Sequence, residues 1–105
     1  MTARVDVRGG AVYLSADVYD TYFRSVEAVI LLIREGKLYV LPVRQIGAGG
    51  CLLKIRNAAG DRVAMAPDVF AANGLGEWSG KGLAAHWSSE QGALVIGLPD
   101  QDTAN

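Results

Sequence analysis

Two side chains in this sequence are capable of nucleophilic or general-base chemistry near neutral pH, Cys51 and His86, and each is the sole residue of its type. A cysteine nucleophile acts as its thiolate and needs an adjacent base that a third group orients. Nothing in the sequence brings Cys51 to His86, which lies between Ala85 and Trp87 in a stretch with strand character. One thiol and one imidazole also fall short of the ligand set of a zinc site. The expectation is a non-enzymatic chain with no metal site and no cofactor. In it Cys51 packs as a small hydrophobe and His86 is a structural or surface residue.

Two glycine-rich runs have the look of phosphate loops but not their chemistry. Gly47-Ala48-Gly49-Gly50 leads into a strand, whereas a phosphate cradle presents its N–H groups at the start of a helix. In Gly76-Glu77-Trp78-Ser79-Gly80-Lys81-Gly82 the glycines are too close together, and Gly82 stands where Ser or Thr would hold magnesium. Binding chemistry rests instead on the cations. Arg4 and Arg8 flank a first short hairpin, and Lys54, Arg56 and Arg62 surround a second. These five are the candidate DNA-binding residues, since guanidinium and ammonium groups supply phosphate contacts; the competing reading is that they keep a sheet soluble. Trp78 is a candidate partner anchor or folds back over the protein. Val29, Leu31 and Ile33 are candidate partner-binding residues, because their strand is apolar on both pleat faces and must be covered on both, by its own domain or by a partner.

Composition bounds the rest. The 105 residues, 50% hydrophobic, suffice for one domain with a modest core. A formal net charge of −1 excludes a global positive field that would gather nucleic acid or coat an anionic membrane, so any basic surface is local. One cysteine permits no intrachain disulfide and points to a reducing, cytoplasmic setting. No signal peptide is read at the amino terminus. The apolar run 28–33 is far shorter than the roughly 20 residues of a membrane-spanning helix. A soluble protein with no membrane partner is expected.

The elements follow in order. Val5 and Val7 alternate with Asp6 and Arg8, Gly9-Gly10 turns the chain, and residues 12–14 extend again, which predicts a hairpin. Ser15 is an N-cap for a helix running to about Phe23, with Val18 and Tyr22 on its buried stripe. Residues 27–33 and 37–43 form a second hairpin across Glu35-Gly36. After a glycine-rich connector at 44–51, residues 51–55 and 62–65 are strands. Pro67 opens a helix, and Asn73-Gly74 closes it.

The chain then reads as an internal repeat, about 4–43 and 52–99. At a spacing of 51, Gly9 matches Gly60, Val12 matches Val63, Leu14 matches Met65, Asp17 matches Asp68, Val18 matches Val69 and Tyr19 matches Phe70. Neither half buries a sufficient core alone, so the two are expected to interlock. The run Gly60-Asp61-Arg62-Val63-Ala64-Met65-Ala66-Pro67-Asp68-Val69, closing on Asn73-Gly74-Leu75 and followed by Gly92-Ala93-Leu94-Val95-Ile96, resembles the AbrB family of DNA-binding domains. Two such units in one chain are similar to the MraZ arrangement. The resemblance implies a mainly β, α+β fold, a single domain formed as an intramolecular swapped-hairpin barrel, either a monomeric pseudo-dimer or a homo-oligomer. It also implies a bacterial-type transcriptional regulator that binds duplex DNA. The sequence departs from the family where arginine is common on the helix, having Tyr19 and Phe70 there. The alternative is therefore a non-catalytic accessory module that keeps the fold, has lost DNA binding and binds a protein partner.

Overall fold

The computed structural model describes residues 3–44 and 50–99; most of the glycine-rich connector, 45–49, lies outside the described residues. Eight strands and two helices occur among the described residues. The strands are β1 (Ala3–Arg8), β2 (Ala11–Leu14), β3 (Ala28–Arg34), β4 (Lys37–Val43), β5 (Cys51–Ile55), β6 (Arg62–Met65), β7 (Gly80–Ser88) and β8 (Ala93–Gly97), and the helices are α1 (Ala16–Tyr22) and α2 (Pro67–Ala72). All the strand pairs are antiparallel. Together they close a barrel in the order β1-β2-β6-β5-β3-β4-β8-β7, with β7 returning to β1. No helix among the described residues is long and apolar enough to cross a membrane.

Local chemistry accounts for the turns of the first half of the chain. Gly9 and Gly10 both have positive φ, as a two-residue hairpin turn requires. Gly10 is doubly constrained, because a Cβ there would come within 2.8 Å of the Pro67 backbone. Ser15 caps α1, its Oγ accepting from the Val18 N–H at 3.2 Å. Phe23 is the C-cap, and Ser25, at φ 68, redirects the chain into β3. Glu35 and Gly36 make the next hairpin turn, both at positive φ.

Inward-facing residues alternate along the strands and fill the barrel. Val5, Val7, Val12, Leu14, Val29, Val40, Leu38, Leu94 and Ile96 are almost fully buried, and Phe23 and Phe70 close the core with no exposed surface. Truncating either phenylalanine to alanine costs about 3–5 kcal/mol by cavity formation. No buried polar or charged residue is found among those described.

The strand faces correct two expectations. Val29 and Leu31 point into the barrel at 0% and 4% exposure, with Ile33 partly buried against the same core. They are core residues rather than a partner surface, and the outward face of β3 belongs to Ile30 and Leu32. The position-by-position match at a spacing of 51 also fails, since Leu14 is 1% exposed while Met65 is 57% exposed. A spacing of 52 matches buried with buried: Val12 with Ala64, Leu14 with Ala66 and Val18 with Phe70. One residue matters because the side-chain period of a strand is two, so a single step exchanges inside for outside.

Candidate nucleic-acid interface

The outer side of β1, β2, β6 and β5 is set by register. Asp6 stands opposite Tyr13, Tyr13 opposite Val63, and Val63 opposite Lys54, so these four form a row across four strands on the outward face. Two residues along each strand on the same face come Arg4 and Arg8 on β1. Arg56 follows directly after β5 and is anchored by its N–H, which donates to the Asp61 carbonyl at 2.7 Å.

Tyr13 is the centre of the arrangement. The Arg8 guanidinium carbon lies 4.4 Å from the ring centroid and that of Arg56 lies 4.8 Å from it. Each is within the range of a cation–π contact, which is worth about 0.5–1 kcal/mol at an exposed site. The ring thus holds two long side chains, from strands far apart in the sequence, at one place on the surface. Arg4 and Arg56 also border a hollow of about 250 Å³ lined by Asp6, Tyr13, Leu14, Ser15 and Asp61. The Arg4 guanidinium is tied by donation from Nη1 to the Gly82 carbonyl at 3.0 Å. Lys54 is exposed on the same face.

The acids of this hollow are already engaged. Asp6 Oδ1 accepts from the Gly82 N–H at 2.7 Å, and Asp61 Oδ1 accepts from the Ala16 N–H at 2.8 Å. Asp61 Oδ2 accepts from Asn57 Nδ2 at 3.1 Å, while Asn57 Oδ1 accepts from the Ala59 and Asp61 N–H groups. The Asn57 amide, then the Ala16 N–H, and more weakly the Arg56 charge, hold the Asp61 carboxyl below the usual aspartate range against opposing desolvation. Asp61 therefore stays ionised while capping α1 from the far side of the connector.

Of the five predicted cations, the structure brings together Arg4, Arg8, Lys54 and Arg56. Arg62 is set apart. It pairs with Leu14 and Ile55, in the inward register, so its side chain leaves through the barrel end, where it lies 3.9 Å over the Tyr19 ring and donates to the Gly60 carbonyl. Tyr19 in turn donates its hydroxyl to the Val26 carbonyl at 3.2 Å. Trp78 folds back against the core, and a Cβ at Gly80 would meet its Cη2 at 2.5 Å.

Tyr13 and Asp61 were not singled out by sequence. Alternation with buried Val12 and Leu14 marks Tyr13 as outward, on the side of Arg8 across a two-residue turn, but its meeting with Arg56 needs the β2–β6 pairing. Asp61 reads only as a turn residue beside Gly60. Cys51 and His86 sit on β5 and β7, on opposite walls of the barrel with three strands between them in either direction. No family model, curated protein or solved structure matches the chain.

Proposed function

We propose that the protein binds duplex DNA through the outer face of β1, β2, β6 and β5, as a transcriptional regulator built from two interlocked AbrB-like halves. The observation that carries this reading is the convergence of Arg8 and Arg56 on Tyr13. It concentrates positive charge, with Arg4 and Lys54 nearby, on a chain whose formal net charge is −1. Four of the ten lysines and arginines lie on this one outward face, against two acids, Asp6 and Asp61, whose carboxylates are already engaged by N–H donors. Phosphate contacts of this kind supply sequence-independent affinity and position a protein on the duplex.

The strand pairings support the swapped-hairpin arrangement of the AbrB and MraZ type. β1 pairs with β7 and β5 with β3, so the opening hairpin of each half abuts the closing hairpin of the other. The helix starts are tied reciprocally, Ala16 N–H to Asp61 Oδ1 and Ala66 N–H to the Gly10 carbonyl. Arg62 over Tyr19 restores a cation close to a helix position where the family resemblance implies arginine. A bacterial-type regulator of this kind would act in the cytoplasm. Fluorescence anisotropy with a labelled mixed-sequence duplex tests the reading: binding at low salt is expected, and the Arg8→Ala/Arg56→Ala variant should lose most of it while keeping the wild-type melting temperature. Binding left intact in that variant refutes the assignment of the face.

A further inference from the structure

A second surface lies beside the basic face and has the opposite character. Met65 on β6, Leu52 on β5, Ile30 and Leu32 on β3 are exposed at 57%, 62%, 37% and 43%. Register makes them one stripe. Leu52 stands opposite Ala28, Ala28 opposite Val43, Ile30 opposite Leu41 and Leu32 opposite Tyr39. Met65 falls beside Leu52, one step beyond the Leu53–Ala64 pair. Across four strands this outward stripe holds no charged side chain. Its borders are net positive: Arg34 and Lys37, opposite each other, close the hairpin end with the single acid Glu35 in the turn between them, and Lys54 follows Leu52 at the other end. Arg34 is held along the face by Tyr39, with its guanidinium carbon 5.5 Å from the ring centroid.

Size and charge decide what fits. Five residues of strand at about 3.3 Å each, across four strands about 4.8 Å apart, give a projected area of about 300 Å². A stable complex buries about 800 Å² on each partner, so this convex patch suits a short segment in a transient contact. A second copy of the chain would bring the same net positive borders, three cations to one acid, against these, and the excess would repel. We infer that the stripe is a docking site for a protein segment in which a few aliphatic or aromatic anchors are flanked by carboxylates. The anchors cover Ile30, Leu32 and Leu52, and the carboxylates meet Arg34, Lys37 and Lys54. The inference stands independently of DNA binding.

Selection of random octapeptides displayed on phage against the intact protein tests it. The expected result is enrichment of peptides that combine apolar anchors with flanking Asp or Glu. Their synthetic versions should bind the Ile30→Thr/Leu32→Thr variant at least tenfold more weakly, and Arg34→Glu/Lys37→Glu likewise. Threonine keeps the β-branched shape on a solvent face, and an unchanged melting temperature and unchanged DNA affinity show that the fold and the neighbouring face persist. Enriched peptides without carboxylates, or peptides that bind the threonine variant equally, overturn the inference, as does a failure to enrich any. Two further outcomes also overturn it: self-association in sedimentation abolished by the same threonines assigns the stripe to a second copy, and binding to phosphatidylglycerol vesicles abolished by them assigns it to a lipid surface.

Discussion

Arg56 lies with its guanidinium carbon 4.8 Å from the centre of the Tyr13 ring, although 42 residues of chain lie between them. Arg8 occupies the same ring at 4.4 Å. A single aromatic side chain on β2 thereby gathers cations from β1 and from the end of β5, and the proposed DNA-binding face depends on it.

Tyr13→Ala should therefore weaken DNA binding even though Tyr13 carries no charge. The ring acts by pre-ordering the two arginines, so the two exposed cation–π contacts, at about 0.5–1 kcal/mol each, set an upper limit of roughly five- to thirtyfold on the loss in affinity. Tyr13→Phe keeps the ring and should bind within about twofold of wild type. Anisotropy titrations of the three proteins at one salt concentration make the comparison. Equal loss in the phenylalanine variant would assign the effect to the hydroxyl instead.

Asp61 links the two sides of the connector by capping α1, and its ionisation gives stability a pH dependence. Its folded-state pKa lies below the unfolded value of about 3.9, so the unfolded chain takes up the proton first as pH falls. The stabilisation is complete above the unfolded value and disappears as pH drops through the lower, folded value. Melting curves of wild type and Asp61→Asn should differ at pH 7 and converge in strong acid. A gap that persists undiminished to the lowest pH would show that the cap does not depend on the carboxylate charge.

Much of this architecture is written locally. The Gly9-Gly10 and Glu35-Gly36 turns, the Ser15 cap, the end of α1 at Phe23, and the limits of β5 and β6 follow from residue types that act over three or four positions. The faces of β3 do not, because both sides of that strand are aliphatic and alternation cannot choose between Val29 and Ile30. The spacing of the proposed repeat was legible only to within one residue, since Val63 and Ala64 are both acceptable inside a barrel, and only the pairing of β2 with β6 places Ala64 there. The same pairing decides that Lys54 faces outward with Tyr13 while Arg62 leaves by the barrel end. Charge alone made the five cations equivalent; long-range register separates them.

Gly80 is set by close approach. Trp78 lies so near that an added Cβ would meet its indole at 2.5 Å and Leu83 at 3.1 Å. Gly80→Ala should displace the ring and destabilise the protein by about 1–3 kcal/mol, as overpacking does. A red shift of tryptophan emission together with a lowered melting temperature is expected. Trp78→Ala/Gly80→Ala should recover part of the loss that the added methyl causes on its own, and an absence of any recovery would show that the two sites do not contact.

In the proposed complex Arg4, Arg8, Lys54 and Arg56 meet phosphates together. The most direct test is the salt dependence of affinity for a mixed-sequence duplex. Four phosphate contacts predict a slope of log affinity against log salt of about −3 to −4, falling in magnitude by about 2 in Arg8→Ala/Arg56→Ala. Absence of binding at low salt, or a slope that the double substitution leaves unchanged, would show that these four cations do not form a DNA-binding face.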